Sequence, residues 1–356
     1  MRIERLDTRI VNVALPRTIG TAIHHMKSAG CVLTTVTTSD GLTGEGFCFA
    51  LNGDRIKAFD ETIKGLAHYV VGTDPNDVEH TFDTIWAALN PSGHAGIGIS
   101  ALSAIDVALW DVVGKSVDKP LAELWGNERA RVDTYASSGL WLSDSKNDLV
   151  EEAAMFLDQG FRGMKIRLGS PNPATDVERV RAVRDAIGPD VKLYSDVNQG
   201  LSVEAAITLG HMLEEFNLAW IEEPVIYYDF AGHAEVRGEI TTPVASGETE
   251  YTRLGMQRYL DAEAVDVLMP DLQRMGGYTE FRRACAIAKT YGVPQSSHFF
   301  TEHSLALAGA LPMCSLVEHV DWFQPLFNER IEIADGQLVI PDRAGTGFTF
   351  TDGYPR

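Results

Sequence analysis

From Val132 onward the chain repeats one pattern: an apolar run of four or five residues, then an amphipathic stretch of about 10–15 residues, then another apolar run. That alternation is the sequence form of βα units, whose strands lie parallel. Strands are expected at 132–135, 163–167, 191–195, 218–222, 243–247, 265–269, 294–297 and 315–318, enough to close a barrel. Between them, 174–187, 202–215, 251–261 and 277–290 carry apolar residues at three- and four-residue intervals, so each can bury one helical face against the strands. No helix is evident after Glu318. The expected fold class is therefore α/β, a modified TIM barrel of the (β/α)7β kind over residues 126–320.

The first hundred or so residues do not follow this period. Residues 1–13 and 31–48 alternate, with Val32, Thr34, Val36 and Thr38 on one face, and Asp40-Gly41 is a hairpin turn signal. Helical patterns follow at 54–71, 77–89 and 96–115, and Ala101 to Trp110 is apolar enough to lie between domains. Residues 1–125 thus read as an α+β capping domain. The tail, 321–356, alternates again at Ile331-Glu332-Ile333 and Gln337-Leu338-Val339-Ile340, and is expected to return to the capping domain and hold it over the barrel rim.

Composition narrows the function. A chain of 356 residues with 45% apolar content can bury a large core. A formal charge of −20 repels phosphate backbones, which argues against nucleic acid and anionic membranes as partners. The start Met1-Arg2-Ile3-Glu4 lacks a signal-peptide core, and no apolar run reaches the roughly 18–20 residues of a membrane span, so a cytoplasmic location is expected. Cys31, Cys48, Cys285 and Cys314 are scattered in apolar surroundings without a C-x-x-C pair, as buried thiols of a reducing compartment would be.

The candidate chemistry lies at the strand ends. Asp196, Glu222 and Glu248 each close an apolar run, spaced twenty-six residues apart. One such acid alone is usually a helix cap or a solvated residue. Three at one strand-helix period fall on one barrel rim, where hard oxygen ligands suit Mg²⁺ with positions left for a substrate. Glu223, beside Glu222, reads as a supporting or loop residue. Lys165 and Arg167 lie two apart on one strand, so they face the same side and can hold a carboxylate. Asp271 and His298 follow neighbouring strands, and an aspartate on one imidazole nitrogen leaves the other to move a proton. Glu318 ends the last strand, within reach of a substrate oxygen.

In this order, Lys165-Ile166-Arg167, Asp196-Val197-Asn198, Trp220-Ile221-Glu222-Glu223-Pro224, Gly247-Glu248 and the Asp271/His298 pair resemble the enolase superfamily, and within it the mandelate racemase subgroup, over essentially the whole chain. The resemblance implies Mg²⁺ on Asp196, Glu222 and Glu248 and abstraction of the proton α to a carboxylate. It also makes Asn198 an outer-shell or substrate contact, Glu318 a partner for the enediolate intermediate, and the protein a homo-oligomer.

One departure matters. Where the racemase has a lysine base, this chain has Arg167, which stays protonated and accepts protons poorly. Racemisation needs an acid/base on both faces of the α-carbon, whereas dehydration manages with one. The implied reaction is a syn elimination by His298 that yields a 2-keto-3-deoxy acid from a sugar acid, as in the galactarate/talarate-type dehydratases. A racemase, epimerase or lactone cycloisomerase using Lys165, and a non-catalytic metal-binding homologue, are the rival readings. A zinc hydrolase is disfavoured, since the chain has no H-x-H or H-E-x-x-H.

Three carboxylates, Mg²⁺, Lys165 and Arg167 leave the inner site at about +1 with His298 neutral, which accommodates one substrate carboxylate despite the overall charge. Further hydroxyls or a second carboxylate need donors from the capping domain, for which His24, His25, Lys27, Asn52 and His94 are candidates.

Overall fold

The computed structural model describes residues 1–354; residues 355 and 356 of the expected tail lie outside the described residues. Three antiparallel strands open the chain in the order β1-β2-β3: β1 (Ile3–Gly20), β2 (His25–Thr38) and β3 (Thr43–Leu51). Asp40-Gly41 makes the second turn, with Gly41 at φ 88°. Helices α1 (Ile56–Leu66), α2 (Val78–Leu89), α3 (Ile97–Ser116) and α4 (Leu121–Trp125) follow.

Gly44 and Gly46 of β3 face α3 so closely that a Cβ on either would meet the carbonyl oxygen of Ala108 or Ala104. The sheet therefore rests on the helix backbone. Gly46→Ala is expected to lift it and cost about 1–3 kcal/mol, read as a lower urea midpoint; an unchanged midpoint would mean that the contact is slack.

Helix α3 corrects one expectation, that no apolar run reaches membrane length. It has 20 residues and a mean hydropathy of 1.6 over its most apolar 18-residue window, enough by length and composition to span a bilayer, yet 78% of that window is buried in the protein. Enclosure by β2, β3 and α1 accounts for its apolar character.

The barrel is β4 (Arg131–Ala136), α5 (Lys146–Asp158), β5 (Gly163–Arg167), α6 (Pro173–Ile187), β6 (Lys192–Asp196), α7 (Val203–Leu213), β7 (Ile221–Glu222), α8 (Phe230–Glu239), β8 (Val244–Ser246), α9 (Thr252–Asp261), β9 (Val267–Leu268), α10 (Tyr278–Tyr291), β10 (Gln295–Ser296), α11 (Thr301–Ala310) and β11 (Cys314–His319). Successive strands pair in parallel, and β11 pairs back onto β4 through Leu316–Asp133 and Glu318–Tyr135, closing the cylinder. The eighth helical position holds a short 3-10 turn, Asp321–Leu326, with Pro325 inside it.

Helices α5, α8 and α11 lie outside the helical stretches expected above. Helix α5 buries Leu149, Ala153 and Phe156 at intervals of four and three and starts on the Ser145/Asp148 capping box. Helix α8 starts on an Asp229 cap and buries only Gly232, His233 and Val236. Helix α11 is buried at every position, so no polar face marks its turn.

The first turn of α11 contains two buried ionisable groups whose polar atoms find few partners: both Glu302 carboxyl oxygens and His303 Nδ1 have none among the described residues. Burial pushes the Glu302 carboxyl up to about 8 and the His303 imidazole down to about 3. Glu302 thus contributes stability below its ordinary value near 4.5, lost as pH rises through about 8. His303 does the reverse, contributing above its ordinary 6.5 and losing it as pH falls toward 3. Glu302→Gln is expected to flatten the fall of Tm between roughly pH 5 and 8 by a few degrees, read by thermal melts; a slope equal to the parent's would remove Glu302 as the cause.

The tail divides. β12 (Ile333–Ala334) and β13 (Gln337–Val339) form a hairpin whose second strand pairs antiparallel with β4, Leu338 opposite Val132. These alternating pieces extend the barrel sheet. Residues 345–354 return to the cap: Asp111 accepts from the Thr346 N–H at 2.8 Å, Glu45 accepts from the Phe350 N–H at 2.6 Å, and Arg9 donates to the Thr351 carbonyl at 3.1 Å.

Candidate active site

Strand alternation sorts the barrel side chains. Met164, Ile166, Leu193 and Ile221 pack outward under the helices, so Lys165, Arg167, Tyr194, Asp196, Trp220 and Glu222 turn inward. Tyr135, Tyr194 and Trp220 form an aromatic floor, with Tyr194 and Trp220 ring centroids 4.3 Å apart. Above it, Arg167 lies in register with Asp196, and Asp196 with Glu222.

Asp196, Glu222 and Glu248 are all buried, each offering an oxygen within 4.8 Å of the others. Burial above all, with Asp196 adding repulsion and Lys165 opposing, pushes the Glu222 carboxyl well above its usual range. Burial, then Glu223 and Asp196, does the same to Glu248. Crowded, desolvated carboxylates in this arrangement call for a cation, and three hard oxygen donors fit Mg²⁺.

Lys165 Nζ donates to both Glu222 oxygens, at 2.9 and 3.0 Å, and pairs with Glu318 at 2.7 Å. Burial works against its charge, but Glu222 and Glu318 outweigh burial, and the ammonium is held more firmly protonated than usual. Burial likewise opposes the Glu318 charge, yet Lys165, His298 and Arg167 hold its carboxyl below the normal range. Both Glu318 oxygens are engaged: Oε1 also accepts from Ser137 Oγ at 2.6 Å, and Oε2 from the Phe299 N–H at 2.8 Å.

Arg167 is fixed from the strand opposite the metal ligands. Its guanidinium donates to the Ser137 carbonyl and hydroxyl, each at 2.9 Å, and lies 4.3 Å from the Trp141 ring centre. Its Nε is 3.7 Å from Asp196 Oδ2. On the far side, His298 Nδ1 meets Asp271 Oδ2 at 2.7 Å, and Nε2 lies 3.2 Å from Glu248 Oε2. The two elements join directly, by a bridge between Asp271 and His298. The turn after the histidine is strained, with Phe299 and Phe300 both at φ 47°.

A cavity of about 640 Å³ opens over these groups. Lys165, Arg167, Asp196, Asn198, Glu248, Asp271 and His298 line it from the barrel. From the cap, His24, His25 and Asn52 reach it. Lys27 and His94 are not among its lining residues. Lys27 presents its backbone N–H to Asn52 Oδ1 at 2.9 Å, and the His94 ring stacks on Trp86 with centroids 3.9 Å apart. The Asn52 amide donates one N–H to the His25 carbonyl at 3.0 Å, which braces the cap loop, and its NH₂ carries a second donor at the cavity wall.

Three lining or supporting residues, Ser137, Arg274 and Gln199, carried no signal used above. Ser137, just beyond β4, links Arg167 to Glu318; inspection of that strand end would have found it. Arg274 donates to the Glu248 carbonyl, and its backbone N–H donates to Asp271 Oδ1 at 2.8 Å. Gln199 Nε2 donates to Glu223 Oε2 at 2.9 Å, and Glu223 itself is buried in the cavity wall. Burial, then Asp196, pushes the Glu223 carboxyl up to about 7. The charge tally changes accordingly: Glu318 and Asp271 add two carboxylates that the sequence count omitted, and Arg274 returns one positive charge.

Residues 5–126 match the N-terminal domain of the mandelate racemase / muconate lactonizing enzyme family, and residues 148–353 match the enolase C-terminal domain-like family. The chain is 35% identical over 323 residues to the L-talarate/galactarate dehydratase of Salmonella typhimurium, spanning 90% of this chain and 80% of that protein. It is 31% identical to the 3,6-anhydro-alpha-L-galactonate cycloisomerase of Streptomyces coelicolor, over 97% of this chain and 96% of that one. The crystal structure of the Salmonella typhimurium L-talarate/galactarate dehydratase liganded with Mg and L-lyxarohydroxamate superposes with a TM-score of 0.96 at 32% identity, covering 99% of this chain and 92% of that one. With both domains matched and the three carboxylates gathered on one barrel rim, the chain belongs to the mandelate racemase / muconate lactonizing enzyme group of the enolase superfamily.

Proposed function

We propose that the protein is a Mg²⁺-dependent acid-sugar dehydratase, a hydro-lyase of the cytoplasm acting as a homo-oligomer. The observation that carries this reading is the single proton acceptor. Arg167 is a permanent cation clamped by Ser137, and Lys165 is committed to Glu222 and Glu318 at 2.9 and 2.7 Å. Among the described residues that line the cavity, His298, oriented by Asp271, is the one imidazole placed beside the carboxylate cluster to take a proton. One base suits elimination and disfavours inversion.

Mg²⁺ on Asp196, Glu222 and Glu248 would supply Lewis acidity that makes the proton α to the substrate carboxylate removable. Lys165 and Arg167 attract that carboxylate and offset the negative charge that grows on it as His298 Nε2 takes the α-proton. The imidazolium then returns the proton to the departing β-hydroxyl, which leaves as water. The resulting enol tautomerises to the 2-keto-3-deoxy acid. Because one imidazole serves both steps, proton and hydroxyl leave from the same face.

The test is a panel of mono- and diacid sugars with Mg²⁺, read for 2-keto acid. α-Deuteration of recovered substrate in D₂O with inversion, and no keto acid, would establish a racemase or epimerase instead. Conversion of a lactone without keto acid would establish a cycloisomerase, and no turnover would leave a metal-binding homologue. Arg167→Lys supplies the missing base on the other face. It is expected to introduce solvent deuterium into recovered substrate with epimerisation; absence of exchange would show that this position does not reach the α-carbon.

A further inference from the structure

Arg17 of the cap is not among the residues that line the cavity, yet three contacts lead from it to Arg167, which is. The first contact depends on an interruption of β1. Ala14 pairs with Ser28 and Ile19 with Met26, so residues 15–18 stand against Lys27 alone. Pro16 in this bulge has no N–H to give to a ladder, and Arg17 beside it reaches across to the barrel. Its guanidinium forks onto both oxygens of Asp144, at 2.5 and 2.9 Å, and also meets Glu152 of α5. The second contact lies within the loop between β4 and α5. There the Trp141 N–H donates to Asp144 Oδ2 at 2.9 Å, and the Asp144 N–H returns to the Trp141 carbonyl at 2.9 Å. The third sets the Trp141 ring centre 4.3 Å from the Arg167 guanidinium carbon.

The two acids that Arg17 joins are the two that shape this loop. Leu140 is left-handed at φ 55°, and its N–H donates to Glu152 Oε2 at 2.7 Å, while Asp144, its side chain fully buried, holds Trp141. Arg179 of α6 supports the loop from the barrel side, through the Trp141 and Asp144 carbonyls at 2.9 and 2.6 Å. Loss of Arg17 therefore loosens the loop without unfolding it. We propose that Arg17 is a positioning residue: from the cap, through Asp144 and the Trp141 ring, it fixes where Arg167 holds its positive charge against a substrate carboxylate. This rests on the acid-sugar reading above, which sets that carboxylate at Lys165 and Arg167, and deepens it. The carboxylate seat on the barrel is then complete only with the cap docked. A second tie, from the Gly20 N–H to Ser143 Oγ at 3.2 Å, joins the same loop to the cap stretch Thr21–His25 that enters the cavity wall.

The test is binding of oxalate, a small dianion that needs no turnover, to the full-length, Mg²⁺-loaded chain, measured by calorimetry. Arg17→Met keeps the aliphatic stem and deletes the fork, and should weaken oxalate about 3–30-fold. Arg17→Lys keeps the charge without the fork and should recover part of that loss. Trp141→Leu, which removes the ring face, should weaken oxalate by itself. Adding Arg17→Met to it should cost little more, because both act through one contact. Mg²⁺ affinity, titrated with the metal alone, should stay close to that of the parent. A merely structural role would lower Tm in Arg17→Met while oxalate binds as to the parent, or would make the two losses add. Either result overturns the proposal, and so does a parent chain that does not bind oxalate. Keto-acid formation by the unmodified chain is scored separately: its absence with the oxalate pattern intact defeats the dehydratase reading and leaves the positioning role standing.

Discussion

Replacing His298 by asparagine is expected to lower kcat for keto-acid formation by about 10²–10⁴-fold, the usual contribution of a positioned general base. Asparagine can still donate to Asp271, which His298 meets at 2.7 Å, so the Asp271–298 bridge and the strained turn that follows should persist. What disappears is the acceptor beside the carboxylate cluster. The prediction is therefore a kcat effect with Mg²⁺ affinity and Tm near those of the parent. Equal turnover by the variant would remove His298 from the mechanism. A large loss of Tm would show that the imidazole mainly supports the fold.

Lys165→Met is expected to have the second large effect, on stability and activity together. The ammonium is 1% exposed and meets Glu222 and Glu318 at 2.9 and 2.7 Å, with Asp196 at 3.8 Å. Removing it leaves buried carboxylates without compensation, a change that costs about 3–5 kcal/mol in comparable buried pairs. A second cation in the same cluster offsets part of that cost. Added Mg²⁺ should accordingly raise Tm more in Lys165→Met than in the parent, while turnover by the variant is expected to stay lost. Melts with and without Mg²⁺ check both statements. An unchanged Tm without metal would mean that the lysine is not what balances these acids.

Much of this site could be read along the chain because its logic is local. An acid that closes an apolar run sits at a strand end whatever the rest of the molecule does, so Asp196, Glu222 and Glu248 could be placed on one rim from their spacing. The inward direction of Lys165 and Arg167 follows from the two-residue period of a strand. Helix α11 was hidden because burial on all sides erases the amphipathic period. Side-chain type does not say which partner a loop residue meets: Lys27 and His94 are polar candidates by composition, yet neither lines the cavity, whereas His24, His25 and Asn52 do.

The roles of Glu223 and Glu318 lay further still from sequence. Glu318 could be placed at a strand end, but not that Ser137, Lys165 and the Phe299 N–H use both its oxygens. Glu223 could be read as a companion to a metal ligand, but not that it is buried and held by the Gln199 side chain at 2.9 Å.

The barrel, the order of its strands and the three carboxylates that meet at one rim are legible along the chain, because the βα repeat and the strand period are short-range properties. The tertiary fold settles which groups face one another, which of them are buried and which cap residues reach the cavity. Those depend on burial and on contacts between segments up to hundreds of residues apart, which exist only once β11 has closed onto β4 and the cap has settled over the rim.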